Sequence, residues 1–120
     1  MLKIFLAGPY GHTDAEIVER RFLEANTVAA KIARSGAAVF SQISMSHPIN
    51  NCMTDLDKAA IGKVWAPIDL IFMEAMTEIV VIDGPGWQES AGVKREMEYF
   101  QSRGLPVSLW SEIQTEFAAS

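Results

Sequence analysis

Cysteine is nearly absent. Cys52 is the only one in 120 residues, so no intramolecular disulfide can form, and a lone thiol is more often a small hydrophobe than a reactive group. Histidine is almost as scarce: His12 and His47 do not stand at a spacing that pairs zinc ligands, so no metal is expected. Basic residues are also in short supply, with 10 Lys+Arg against 15 Asp+Glu and a formal charge of −5. A chain so poor in cations lacks the basic face that duplex nucleic acid requires. A small phosphorylated ligand is still compatible, because it needs only one local nest of donors. Long apolar runs are missing too. No stretch approaches the ~18 residues of a membrane span, and the run from Met1 to Ala7 breaks at Gly8-Pro9 too early for the core of a leader. These absences predict a cytoplasmic protein without membrane or nucleic-acid partners. No repeat, low-complexity tract or linker divides the chain, so residues 1–120 are expected to form one domain.

What remains is rich in core material. Hydrophobic residues make up 49% of the chain, enough for about two-thirds of its surface to be buried on folding. Lys3 to Ala7 is apolar without polar alternation, the pattern of a strand covered on both faces. Val18, Phe22, Ala25, Ala29, Ile32 and Ala33 recur at spacings of three and four, predicting a long amphipathic helix. Thr13 and Glu16 have the spacing of its capping box, and Gly36 suits its C-terminal stop. A strand is expected over Ala37 to Phe40, leading into a polar segment from Ser41 to Pro48. Thr54 to Met76 reads as a helix in two pieces, broken near Ala66-Pro67. Glu78 to Asp83 is the strongest strand. A helix is expected from Ser90 to Arg103, ended by Gly104, then a strand over Pro106 to Leu109 and a short helix over Ser111 to Phe117. Strands alternating with helices predict an α/β fold: an open parallel sheet of four to five strands with helices on both faces. Ligands bind such sheets at the carboxyl ends of the strands, which here carry the loops Gly8 to His12, Ser41 to His47 and Asp83 to Ser90.

Gly8-Pro9-Tyr10-Gly11-His12 lacks the third glycine of a dinucleotide fingerprint and the Lys-Ser/Thr of a phosphate loop. Neither NAD nor ATP is expected, and no cofactor at all. Its glycines could admit a ligand to the backbone or simply form a strand-to-helix turn. Ser90 falls at a helix N-terminus, an anion-binding position that doubles as an ordinary N-cap. Glu96 either faces a site or joins the solvated charges Lys94, Arg95 and Glu98; Glu89 is a first-turn carboxylate. Trp87 is either an aromatic wall for a base or a loop anchor. Asp69 stands among Ile68, Leu70, Ile71 and Phe72, where a carboxylate faces solvent or points into a site, since unpartnered burial is costly. His47 could meet a phosphate or a base edge, or make a structural hydrogen bond. The methionines read as packing.

Phe5-Leu6-Ala7-Gly8-Pro9-Tyr10, Ser46-His47-Pro48, Asp69-Leu70, Ile79 to Ile82, and Gly86-Trp87 through Ser90-Ala91-Gly92-Val93 to Glu96 together resemble the nucleoside 2-deoxyribosyltransferase-like superfamily. The likeness extends over almost the whole chain, to a bacterial and phage branch without assigned activity. It implies a flavodoxin-like sheet, a homodimer or higher oligomer, and cleavage of N-glycosidic bonds in deoxynucleosides or nucleoside 5′-monophosphates. It further implies Glu96 as nucleophile and Asp69 as the acid at the sugar or base. Substrate contacts are implied for Gly8, Pro9, His47, Trp87, Ser90 and Gly92. Serine at position 90, where nucleoside transferases of the superfamily carry aspartate, favours a monophosphate. The position of a tyrosine that orients the nucleophile in many members is occupied by Phe5, leaving Tyr10 as the candidate hydroxyl. Tyr10, His47, Trp87, Ser90 and Glu96 are expected at one pocket, with the segment around Trp110 reaching a second subunit. Loss of the chemistry would instead leave a silent nucleotide-binding or sensor domain, or an oligomerisation module.

Overall fold

The computed structural model describes residues 1–117. Its strands β1 (Lys3–Ala7), β2 (Ala38–Ser41), β3 (Glu78–Val81) and β4 (Val107–Leu109) form one sheet. Every pairing is parallel, and the spatial order is β2-β1-β3-β4. The connections carry α1 (Ala15–Arg34), α2 (Gln42–Asn50), α3 (Lys58–Ala75) and α4 (Ala91–Ser102), and β4 runs into the short α5 (Trp110–Ile113). This is the open, flavodoxin-like parallel sheet that the alternation of strand and helix predicts. The chain reverses direction of travel across the sheet between β1 and β3, which makes their carboxyl ends a natural crevice.

The unalternating run in β1 is buried on both faces. Ile4 and Leu6 join Ala25, Val28 and Ile32 of α1 in one core, and Phe5 and Ala7 join Met73 of α3 with Val93 and Phe100 of α4 in the other. A period of two within the strand therefore sorts its side chains between two helical layers. β3 does the same with Val80 on the first side and Ile79 and Val81 on the second.

Helix ends follow local chemistry. Asp14, rather than Thr13, caps α1, its carboxylate accepting from the Glu16 amide at 2.9 Å. Gly36, with φ of 94°, follows the C-terminus of α1, and Gly104, with φ of 68°, follows that of α4, both positions where a side chain would be strained. Two prolines behave differently from expectation. Pro67 lies inside a continuous α3, and the segment from Ser41 to Pro48 is mostly the helix α2, with Pro48 inside it. Both prolines are on exposed surface, so water can satisfy the carbonyl that each leaves without a helical donor. Within α2, Ile43, Ser46 and His47 are buried at spacings of three and four, a helical stripe hidden among polar letters. Trp110 packs on Phe117 at 5.7 Å in the first core, so its ring fills the interior of its own subunit. No helix among the described residues is long and apolar enough to cross a membrane.

Candidate functional site

Beyond the carboxyl ends of β1 and β3 lies a cavity of about 520 Å³, lined among others by Gly8, Tyr10, Asp69, Ser90, Gly92 and Glu96. Six of the expected site residues thus meet at one place. Helix α4 buries Val93, Glu96 and Phe100, and helix α3 buries Trp65, Asp69 and Met73. Each carboxylate occupies the middle of its helix's inward stripe, where spacing alone calls for an apolar residue. Glu96 is 6% exposed and Asp69 3%. Asp69 Oδ2 accepts a long hydrogen bond of 3.4 Å from Gln42 Nε2, and Oδ1 has no hydrogen-bond partner among the described residues. Two acids held this way cannot both ionise cheaply. Burial lifts Asp69 from 3.8 to about 6, opposed by the Gln42 hydrogen bond and by Arg95. Burial first, then repulsion from Asp69, lifts Glu96 from 4.5 to about 8, with Arg95 opposing. Together these shifts favour one proton on the pair near neutral pH, held by Glu96 beside an ionised Asp69.

A second cavity of about 420 Å³ opens at the start of α4, bordered by Pro9, Arg21, Gly86, Glu89, Ser90 and Ala91. Ser90 lies on both cavities and caps the helix, its Oγ accepting from the Val93 amide at 3.2 Å. That bond leaves the hydroxyl proton available to an acceptor. Arg21 braces this edge by donating to the carbonyls of Gly11 and Pro85, each at 3.0 Å, and of Tyr10 at 3.4 Å. Gly86 has φ of 90°, and a Cβ there would come within 2.8 Å of Arg21 Nη2, so glycine serves both the turn and the brace. Gly8 has another reason. A Cβ on it would stand 3.3 Å from Ile82 Cβ, so it answers to packing against the end of β3.

Several expectations need correction. His47 does not line the large cavity; it is buried behind Tyr10, bonded to the Tyr10 hydroxyl at 2.7 Å and to Glu19 at 2.9 Å. Trp87 lines neither cavity and packs beside the second core, which makes it the loop anchor rather than a base-stacking wall. Pro9 borders only the second cavity. The Tyr10 hydroxyl is engaged by His47 and by Asn50, whose Nδ2 donates at 3.2 Å, and makes no hydrogen bond to Glu96. Phe5 lies between Phe40 and Phe100, with ring centroids 5.6 and 6.2 Å away, and brings no hydroxyl to the carboxylates. Gln42, Asn50, Trp65 and Arg95 line the large cavity without having been singled out. The signal for Asn50 was the helical spacing from Ser46 and His47, masked by proline; Arg21 carries no sequence signal, since it reads as one more charge on an amphipathic helix. Among the described residues no group of three or more His, Cys, Asp or Glu is placed to hold a metal ion.

The model of the family described as a domain of unknown function, DUF1937, matches residues 2–112, and the chain belongs to that family. A search of curated proteins gives no match.

Proposed function

We propose that the chain cleaves the N-glycosidic bond of nucleoside 5′-monophosphates or deoxynucleosides, passing the sugar to water or to a second base. One observation carries this reading: two buried carboxyls on different helices face a cavity large enough for a nucleotide, and burial raises both above the ordinary carboxylate range. Such a pair suits a reaction that builds positive charge at C1′ and needs a proton on the departing base. The order of the motifs, which resembles the nucleoside 2-deoxyribosyltransferase-like superfamily, supports the same assignment.

In this scheme Glu96 acts on C1′ and Asp69 on the base. The pair's one proton goes to the base nitrogen as the C1′–N bond breaks, and a bond from Glu96 to C1′ forms, leaving Asp69 ionised. Water then attacks C1′ and gives a proton to Asp69, and Glu96 leaves as a carboxylate. The pair again holds one proton, so the cycle closes without any other acid. In the empty cavity the proton favours Glu96. Positive charge growing at C1′ lowers the proton affinity of the nearer carboxylate, which moves the proton toward the base as the reaction proceeds. Ser90 and the amides of Ala91 and Gly92, at the start of α4, supply donors for a 5′-phosphate.

A second reading, a silent nucleotide-binding domain, is favoured by Phe5, which leaves Glu96 without an orienting hydroxyl. Chromatography of free base released from nucleosides and monophosphates, with Glu96→Gln as control, separates the two. Release lost in the variant supports catalysis; tight binding with no release supports the silent domain. The proposal includes a second copy of the chain as partner, because α3 leaves Val64, Leu70 and Ile71 exposed, an apolar face of the kind that association covers.

A further inference from the structure

Behind the large cavity a chain of hydrogen bonds runs from Trp65 to the surface. Trp65 Nε1 lies 2.6 Å from Asn50 Oδ1, Asn50 Nδ2 3.2 Å from Tyr10 Oη, Tyr10 Oη 2.7 Å from His47 Nδ1, and His47 Nε2 2.9 Å from Glu19 Oε2. Trp65 fixes the direction at one end, and a neutral His47 beside Glu19 fixes it at the other. Indole can only donate, so Asn50 must accept with its oxygen and turn its amide nitrogen, a donor, toward Tyr10. At the other end the Glu19 carboxylate, with its side chain 55% exposed, can only accept, so the proton of a neutral imidazole sits on Nε2 and Nδ1 accepts. Tyr10 must then donate its one proton to His47. The requirements meet at Tyr10 without conflict, and every donor points outward. Phe22 holds the imidazole from the side, its ring centroid 4.6 Å away.

We infer that Tyr10, locked by His47 and Glu19, shows the cavity a lone pair and no proton, and so selects ligands that present a hydroxyl or N–H at that wall. Its proton is committed to His47 and one lone pair to Asn50, so one acceptor position remains for the cavity that Tyr10 lines. A phosphate, offering only acceptors there, is excluded from this wall. Resting on the nucleotide reading above, the inference turns the sugar hydroxyls or a base amine toward Tyr10. Glu19 and His47 are positioning residues, since neither lines the large cavity.

The test has two arms. Nitrogen-15 NMR of His47 near pH 7.5 is expected to show the Nε2–H tautomer, and Glu19→Ala to convert part of it to Nδ1–H. An Nδ1–H tautomer or an imidazolium in the unaltered protein would free the Tyr10 proton and overturn the inference. In the second arm, nucleoside 5′-monophosphates lacking the 2′-hydroxyl, the 3′-hydroxyl or the base amine are titrated into the unaltered protein and Tyr10→Phe. One deletion is expected to cost threefold to tenfold in the unaltered protein and almost nothing in the variant, the worth of one neutral hydrogen bond. Equal losses in both proteins for every analogue would overturn it. If no monophosphate binds, the nucleotide reading fails by itself, and the tautomer still decides the polarity of the wall.

Discussion

Replacing Glu96 with glutamine keeps the shape of the side chain and removes its ionisation, which turns a buried acid into a measurable stability difference. In the native fold Glu96 holds its proton up to about 8, against an ordinary 4.5. Between those values the native state binds more protons than the unfolded chain, so stability falls as pH rises. The contribution is fully present below 4.5 and gone above about 8. Such a displacement corresponds to a ceiling of about 5 kcal/mol. Water entering an open cavity lowers it, and an effect of about 2 kcal/mol or more is expected. For a chain of this length each kcal/mol moves the melting temperature by roughly 4 °C. Thermal melts of both proteins from pH 4.5 to 8.5 should therefore nearly coincide at the acid end and separate by about 8 °C or more at the alkaline end, Gln above Glu. Asp69 is present in both proteins, so its own titration largely cancels. The same variant should lose base release by about a thousandfold or more, as removal of a nucleophile does. Gaining stability while losing activity marks a strained functional group. Melting curves that stay parallel across the range would mean that Glu96 is ionised in the native fold, and a Glu96 that keeps its proton at neutral pH would be refuted.

Asp69→Asn removes the repulsion acting on Glu96, so the limb of the pH–rate profile belonging to Glu96 should move to lower pH while the rate falls by about 10²-fold or more; an unmoved limb would uncouple the two carboxyls. Ser90→Asp places a carboxylate where the 5′-phosphate is expected, and calorimetry should show monophosphate affinity falling at least tenfold relative to the nucleoside; an unchanged ratio would leave Ser90 with its capping role. Arg21→Ala deletes the brace between the loops at 8–12 and 84–90, costing about 1–2 kcal/mol, and hydrogen exchange should quicken in those two segments and not in β1. Ile71→Asp should convert a dimer into a monomer in sedimentation velocity if α3 forms the contact between copies, and leave the secondary structure unaltered by circular dichroism.

The layered fold was legible because burial on two sides leaves a plain mark: four successive apolar residues in β1, and three in β3 continued by Ile82. Helix α4 was equally plain, since Ser90 and Gly104 punctuate its ends. What misled was proline. Pro48 and Pro67 signal breaks when chain context is ignored, yet both stand on solvent faces where a missing helical donor costs less than the packing gained by the opposite face. Misreading 41–48 as a loop had a further effect: it hid Asn50 and placed His47 in the pocket when helical geometry turns its imidazole toward α1. Trp87 shows a different limit. A tryptophan after a glycine turn is equally suited to a ligand or to a core, and only the position of the 3-10 turn at 87–89 beside the second core decides it.

Asp69 was identifiable as a carboxylate in an apolar run, and Glu96 only through the resemblance, since its neighbours read as solvated charges; the division of the proton between them was not legible. Burial is the first cause for both, and it lifts Glu96 further than Asp69. Partners on other elements add to this order: Gln42, at the start of α2, donates to Asp69 and favours its charged form, while Glu96 faces the Asp69 carboxylate. Gln42 thus reinforces the division from a helix that the sequence disguises. The consequence is a cavity carrying one negative charge from this pair rather than two. Two charges would repel a nucleotide's phosphate across a narrow site, and none would leave C1′ without an anion to stabilise its developing charge. On the proposed reading, one charge and one transferable proton is the state from which glycosidic cleavage starts, and burial of both acids with a donor to Asp69 favours it.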